Sequence, residues 1–124
     1  MGFSTKKTNN TPNVIFNPEL NEWTISGRSY PTEASTCYQP ILLWLKQHEN
    51  QKIRNCTFKF ELEFFNTNSS KVLLDILILL KERVEQGNLD LTIKWYYESD
   101  DEDIKEAGES LMQTAGLTYE LISV

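Results

Sequence analysis

Residues 56–65 have the sequence CTFKFELEFF, in which apolar and polar side chains alternate. A period of two is typical of a β-strand with one buried face. The alternation predicts that four side chains of this strand face the core: Phe58, Phe60, Leu62 and Phe64. The polar junction NTNSS follows at residues 66–70, and residues 70–86 then repeat apolar side chains at helical spacing. This succession of strand, junction and helix is typical of an α/β fold.

The same patterns predict the elements on both sides of this unit. In chain order they are strands over residues 14–16 and 22–27, a helix over 36–47, the strand and helix described above, a strand over 89–97, a helix between the acidic residues 99–103 and Gly116, and a strand over 117–124. Pro40 either lies in the first turn of the first helix or kinks it. The predicted order is β-β-α-β-α-β-α-β. Helices between strands imply right-handed crossovers, so we predict an α/β fold with a mixed, mostly parallel sheet and helices packed on it.

The length of 124 residues fits a single domain with its own hydrophobic core. We assign residues 13–124 to that domain, and residues 1–12, which are polar and lack apolar periodicity, to a flexible N-terminal tail. No apolar run reaches the roughly 18 residues of a membrane span, and no apolar signal-peptide segment occurs. Two distant cysteines, Cys37 and Cys56, are predicted to be free thiols. These features predict a cytoplasmic protein without membrane insertion.

The net charge of −6, from 18 acidic against 12 basic side chains, argues against a nucleic-acid partner, because no basic stripe offsets the repulsion. The acidic run at residues 99–103 lacks the glycine and glutamate spacing of a calcium-binding loop. We assign it to a helix start, where Ser99 and Glu102 have capping-box spacing. The single histidine, His48, is predicted to be solvated, and no motif for nucleotide, metal or nucleophilic chemistry occurs. The sequence therefore predicts a protein that is not an enzyme and that binds no cofactor and no metal.

The junction at residues 66–70 has two interpretations. Its hydroxyl and amide side chains are those preferred at a helix N-cap, and the pattern alone favours this structural role. The position also suits a phosphorylatable switch, because the free N–H groups of a helix start tolerate added negative charge. On the helix that follows, Leu74 and Ile78 widen the apolar stripe beyond what one sheet face needs. They form either an exposed contact strip for a partner or a surface that the first helix covers.

Three short runs of the chain resemble the SiaC-type bacterial regulatory phosphoproteins: GRSYP at residues 27–31, FFNTNSSK at 64–71, and WYYE at 95–98 before the acidic run. The resemblance extends from about Val14 to the C-terminus. It implies a fold like that of STAS domains, to which anti-sigma factor antagonists belong. It also implies a threonine, matched here by Thr67, that a partner kinase phosphorylates and a PP2C-type phosphatase dephosphorylates. The resemblance further implies that the unphosphorylated form binds and activates a diguanylate cyclase, which couples the switch to cyclic di-GMP output and biofilm formation.

We therefore predict a non-enzymatic phospho-switch protein in which Thr67 is the modified residue. The predicted switch loop around it consists of Asn66, Asn68, Ser69 and Ser70. The predicted partner-binding residues on the following helix are Lys71, Leu74 and Ile78. Asn68 stands where a serine is common in the family's motif, and Thr32 separates the GRSYP run from Glu33, which leaves the identity of the output partner open. Two other functions stay open, namely a STAS-like domain that senses a small ligand or anion at the same loop and a structural interaction module. A homodimer is also left open.

Overall fold

The computed structural model describes residues 3–5, 8, 10–17, 19–31, 33–47 and 51–124. The elements in chain order are β1 (Phe3–Thr5), β2 (Asn13–Asn17), β3 (Glu22–Ser29), α1 (Ala34–Cys37), α2 (Gln39–Gln47), β4 (Ile53–Phe65), α3 (Thr67–Glu85), β5 (Leu89–Tyr97), α4 (Glu102–Ala115) and β6 (Glu120–Ser123). The prediction of a solvated His48 falls outside the described residues.

The six strands form one sheet in the order β1-β2-β3-β4-β5-β6. Strands β1, β2 and β3 pair antiparallel, whereas β3, β4, β5 and β6 pair parallel. Each crossover between parallel strands steps to the next strand in the same direction, so right-handed connections place the helices on one face of the sheet. The predicted α/β fold with a mixed, mostly parallel sheet is confirmed.

A row of aromatic rings runs across the buried face of strands β3, β4 and β5. The rings of Phe58 and Phe60 are stacked, with centroids 4.4 Å apart. Trp23 lies 5.6 Å from Phe58 at one end of the row, and Trp95 lies 5.2 Å from Phe60 at the other. The indole N–H of Trp95 donates a hydrogen bond to the backbone oxygen of Ile104 at 3.0 Å. The row therefore forms the centre of the core and attaches α4 to it.

The strand predicted from the period-two pattern is β4, but its last predicted core residue faces solvent. The first three predicted core positions are buried, whereas Phe64 is 49% exposed. In the pairing with β3, Gly27 lies opposite Leu62 but Arg28 lies opposite Phe64, so β4 carries one extra residue. A bulge of this kind exchanges the two faces of the strand beyond it. Phe65 therefore packs against the indole of β5, and the predicted core position of Phe64 is wrong.

Two elements near the N-terminus differ from the prediction. Strand β1 lies inside the segment predicted to be a flexible tail, and its backbone pairs with β2. The predicted first helix is two helices, α1 and α2, which are separated at Tyr38. Pro40 lies in the first turn of α2, one of the two arrangements predicted for it. Proline is tolerated there because the first N–H groups of a helix have no partner within it.

The starts of α3 and α4 also differ from the prediction. Helix α3 begins at Thr67 rather than at residue 70, because Asn66 already supplies its N-cap. The N-cap of α4 is Asp101, whose carboxylate accepts from the backbone N–H of Ile104 at 3.1 Å. The acidic run thus begins a helix as predicted, but the predicted capping box of Ser99 and Glu102 is wrong. The end of α4 agrees with the prediction, since Gly116 closes it in the left-handed conformation with φ 75°.

Cys37 is half-buried and Cys56 is buried. Both cysteines are free, as predicted. Burial raises the pKa of Cys56 to about 11 and also raises the pKa of Cys37, so both are protonated thiols at neutral pH. Among the described residues, no group of three His, Cys, Asp or Glu side chains is arranged to hold a metal ion. None of the helices in the described ranges has the length and apolar content needed to cross a membrane.

Candidate functional site

The predicted switch loop lies where β4 ends and α3 begins. The side-chain oxygen of Asn66 accepts a hydrogen bond from the backbone N–H of Ser69 at 2.9 Å, and its backbone oxygen accepts from that of Ser70 at 2.9 Å. The backbone N–H of Asn66 donates to the backbone oxygen of Ser29, the last residue of β3, at 3.0 Å. The first turn of α3 is therefore attached to the end of the neighbouring strand.

The hydroxyl groups of the loop differ in their access to solvent. Thr67 is the first residue of α3, and it is exposed. Ser69 is fully buried and Ser70 is half-buried, whereas Asn68 is exposed but carries no hydroxyl group. An enzyme that modifies hydroxyl groups can reach Thr67 from solvent, while the Ser69 side chain is enclosed by the protein.

Beneath this turn, three hydroxyl groups from distant parts of the chain form what we call the hydroxyl network: Ser29, Tyr38 and Ser69. The Oγ atom of Ser29 lies 2.7 Å from the Oγ atom of Ser69 and 2.6 Å from the phenol oxygen of Tyr38. The Ser69 hydroxyl also donates to the backbone oxygen of Ser29 at 3.0 Å. All three residues are fully buried. Burial raises the pKa of the Tyr38 phenol well above its ordinary range, so the phenol stays protonated and able to donate.

The predicted partner-binding residues lie along α3, but they are not equally accessible. Lys71 and Ile78 are exposed, and Ile78 keeps 42% of its surface in solvent. Leu74 is half-buried and packs against the core, so the exposed apolar strip is narrower than predicted. Residues one turn and three turns after Thr67 share its side of the helix, and the distance from Thr67 to Ile78 along the axis is about 16 Å. We call this line of Thr67, Lys71 and Ile78 the α3 face.

A cavity of about 530 Å³ opens elsewhere, between β4, β5 and the start of α4. Its lining contains one guanidinium, Arg28, and four acidic side chains: Glu61, Glu63, Glu98 and Asp101. The excess of carboxylates makes this cavity unfavourable for an anionic ligand. None of the switch-loop residues lines it. The cavity therefore does not serve the alternative function in which an anion binds at that loop.

Asn66→Ala is expected to lower the free energy of unfolding by about 1 kcal/mol, because it removes the side-chain acceptor for the N–H of Ser69. Urea unfolding followed by circular dichroism measures this loss. Asn68→Ala is the matched control, since Asn68 is exposed and lies past the cap in the same turn, and we expect a change below about 0.5 kcal/mol. Equal losses in the two variants would contradict a specific contribution of the cap.

Ser29 and Tyr38 are the part of the site that the sequence analysis did not identify. The two side chains that meet at Ser29 come from residues 9 and 40 positions away, and no local pattern indicates either contact. Two signals were available. Ser29 lies in the GRSYP run that carries part of the family resemblance, and Tyr38 places a polar tip in the predicted first helix, where a buried tyrosine hydroxyl usually has a hydrogen-bond partner.

Comparisons with known proteins agree with this fold over nearly the whole chain. The family model described as SiaC family regulatory phosphoprotein matches residues 5–124. An uncharacterised protein of Pseudomonas aeruginosa strain UCBPP-PA14 is 24% identical over 112 residues, which cover 90% of this chain and 88% of that protein. The crystal structure of apo-SiaC from Pseudomonas aeruginosa has a TM-score of 0.85 at 20% identity and covers 98% of both chains. The crystal structure of the diguanylate cyclase SiaD in complex with its activator SiaC, from the same species, has a TM-score of 0.88 at 20% identity, with 98% of this chain and 99% of that chain covered.

Proposed function

The chain belongs to the SiaC family of regulatory phosphoproteins, and from this premise we propose that it is a non-enzymatic phospho-switch protein in which Thr67 controls a diguanylate cyclase. A partner serine/threonine kinase phosphorylates Thr67, and a PP2C-type phosphatase removes the phosphate, in the bacterial cytoplasm. The unphosphorylated chain binds and activates the cyclase, which raises cyclic di-GMP and promotes biofilm formation. The observation that carries the proposal is the exposure of Thr67 at the first residue of α3.

The choice of Thr67 over its neighbours is supported by the burial of the other hydroxyl groups in the loop. The hydroxyl of Ser69 is engaged with both the side chain and the backbone of Ser29, so a kinase would have to unfold the turn to reach it. Ser70 is half-buried and its backbone N–H is bonded to Asn66. Thr67 is exposed and needs no such opening, which supports it as the hydroxyl of this loop that a kinase modifies in the native fold.

The position of Thr67 allows the phosphate to be added without unfolding. A phosphate on a threonine adds about −1.5 to −2 charge and three strong acceptor oxygens. A helix N-terminus stabilises a negative group by about 0.3–1 kcal/mol. The exposed ammonium of Lys71, one turn further on, adds an i, i+4 attraction of about 0.2–0.5 kcal/mol. We therefore infer that phosphorylation changes the surface of the protein and leaves its fold in place.

The position of Thr67 on the α3 face explains how a phosphate there affects binding of the partner. The hydroxyl, the ammonium and the exposed apolar side chain of Ile78 lie on one side of one helix, so a partner helix or loop that covers Ile78 also approaches Thr67. A phosphate at that point must either be desolvated in the contact or keep the partner away. SiaC of Pseudomonas aeruginosa, which has the same fold, is the activator of the diguanylate cyclase SiaD. This supports a cyclase as the partner of the present chain.

The proposal is tested by intact-mass measurement after incubation with ATP and a candidate kinase from the same genome. We expect a mass gain of about 80 Da, one phosphoryl group, which a PP2C-type phosphatase removes. In the same preparation, the unmodified chain is expected to stimulate cyclic di-GMP synthesis by the candidate cyclase, and the phosphorylated chain is expected not to.

Two variants, one at Thr67 and one at Ser70, show which hydroxyl group carries the phosphate in this assay. Thr67→Ala is expected to abolish the mass gain while it still stimulates the cyclase. Ser70→Ala, which removes the other partly accessible hydroxyl of the loop, is expected to gain the phosphate normally. Phosphorylation that persists in Thr67→Ala, or a cyclase that responds equally to both forms of the chain, would refute the proposed switch.

A further inference from the structure

A single arrangement of protons makes all three contacts of the hydroxyl network hydrogen bonds at once. Each hydroxyl group carries a single proton. The proton of Ser69 is used in the bond to the backbone oxygen of Ser29, at 3.0 Å. Ser29 must therefore be the donor in its 2.7 Å contact with Ser69, and Tyr38 must be the donor in the 2.6 Å contact with Ser29. The bonds run in one direction, from Tyr38 through Ser29 to Ser69 and back to the backbone of β3.

The backbone oxygen of Ser29 holds the switch loop at two points. It accepts from the backbone N–H of Asn66 at 3.0 Å and from the hydroxyl of Ser69 at 3.0 Å. These two donors lie on either side of Thr67 and Asn68. A backbone oxygen has two lone pairs, so both are used here. The exposed residues Thr67 and Asn68 therefore lie between two hydrogen bonds to the same backbone oxygen of β3.

Tyr38 connects this arrangement to a third element. Its backbone oxygen accepts from the N–H groups of Ile41 and Leu42, at 3.1 and 3.3 Å, so Tyr38 begins the hydrogen bonding of α2. Its buried phenol is thereby held in place by the start of that helix. A shift of the phenol relative to Ser29 breaks the first bond of the network and weakens the next, because hydrogen bonds in a chain polarise one another.

We propose that Ser29 and Tyr38 are positioning residues for the modification of Thr67, holding the first turn of α3 so that the threonine hydroxyl is presented to the kinase in one geometry. This rests on the proposed function, in which Thr67 is the phosphorylated residue. Neither side chain touches the reacting atoms. Both act through the hydroxyl of Ser69, whereas the contact with Asn66 is made by the backbone oxygen of Ser29. A displacement of a reacting group by about 1 Å can lower a rate by up to a hundredfold, so loss of this support affects turnover more than binding.

Tyr38→Phe is the first test, because it removes one oxygen atom and leaves the buried ring in place. We expect kcat for phosphorylation of Thr67 to fall about tenfold with KM unchanged. We also expect amide hydrogen exchange in residues 66–70 of the chain alone, measured by mass spectrometry, to become about tenfold faster. Ser29→Ala is expected to have an effect at least as large. The double variant is expected to be no worse than Ser29→Ala, because that change already removes both side-chain bonds of the network.

Ile93→Val serves as the control, since it removes a methyl group from the buried core on β5, outside the network. It lowers global stability, but we expect wild-type kcat and wild-type exchange at residues 66–70. Wild-type behaviour of Tyr38→Phe in both measurements would overturn the inference, and so would an equal slowing of phosphorylation by Ile93→Val. The exchange measurement needs no kinase, so it tests whether Ser29 and Tyr38 hold the first turn of α3 independently of the proposed function. Faster exchange without any phosphorylation of Thr67 would refute the proposed function, whereas wild-type exchange in Tyr38→Phe would refute the hold on the turn.

Discussion

Phosphorylation of Thr67 is expected to weaken binding of the chain to the proposed cyclase partner about a hundredfold, which corresponds to about 2.8 kcal/mol. The reason is the shared helix side of Thr67 and the exposed Ile78, which brings nearly two negative charges into the edge of an apolar contact. Thr67→Asp carries a single charge and fewer acceptor oxygens, so we expect the same direction with a loss of about tenfold. Isothermal titration calorimetry with the purified cyclase measures both changes.

Two variants distinguish an effect of where the charge lies on α3 from an effect of added negative charge alone. Thr67→Ala is expected to bind like the unmodified chain and to remain permanently competent. Asn68→Asp places the same carboxylate one residue later, at an exposed position about 100° around the helix and away from the α3 face, and it is expected to bind normally. Equal affinities of Thr67→Asp and Thr67→Ala would contradict the mechanism. Equal weakening by Asn68→Asp would show that net charge, not the α3 face, controls docking.

From β2 onward, and apart from the division of the first helix into α1 and α2, the order of elements could be predicted from the sequence because it depends on local periodicity. The alternation over residues 56–65 marks β4, and helical spacing marks α3, whichever strands and helices lie beside them. The side occupied by Phe64 depends instead on how β4 pairs with β3. The register shift after Gly27 inserts one residue, and this pairing leaves no trace in the period of β4 itself. Local pattern therefore predicts elements well and predicts the faces of a strand only up to its first bulge.

The candidate site likewise has a part that local sequence determines and a part that tertiary contacts determine. The exposed position of Thr67 follows from chemistry within a few residues, since a cap such as Asn66 fixes where a helix starts and thus which side chain is first in it. Several residues of the junction are suited to capping, and the predicted start of α3 was therefore about one turn later than the observed start. The hydroxyl network depends on contacts between residues up to 40 positions apart, and these are set by the packing of β3, α2 and α3. What surrounds Thr67, the proposed site of modification, is thus a property of the tertiary structure, whereas the residue itself was indicated by the family resemblance of its sequence.

Gly108→Ala is expected to destabilise the fold by about 3 kcal/mol, at the upper end of what overpacking of a core usually causes. Gly108 lies in α4 against the indole of Trp95, and an added Cβ would lie 2.3 Å from its Cε2 atom. The indole cannot move aside easily, because it is fully buried, stacked on Phe60 and hydrogen-bonded to the backbone of Ile104. Alanine otherwise stabilises the interior of a helix by about 1 kcal/mol relative to glycine, so the close approach reverses the ordinary sign. Urea unfolding followed by tryptophan fluorescence measures the change.

Ser110→Ala provides the comparison, since Ser110 is exposed on the same helix and the substitution changes helix propensity without a contact to the core. We expect it to leave the stability unchanged or to raise it by a few tenths of a kcal/mol. A Gly108→Ala variant that unfolds at the wild-type urea concentration or above would mean that α4 packs further from β5 than the structure has it. The contact between Gly108 and Trp95 also predicts which element of the variant unfolds locally first. Since Trp95 ends the aromatic row and holds the first turn of α4 through Ile104, its displacement should loosen α4 before the strands separate, and hydrogen exchange in residues 102–115 should rise first.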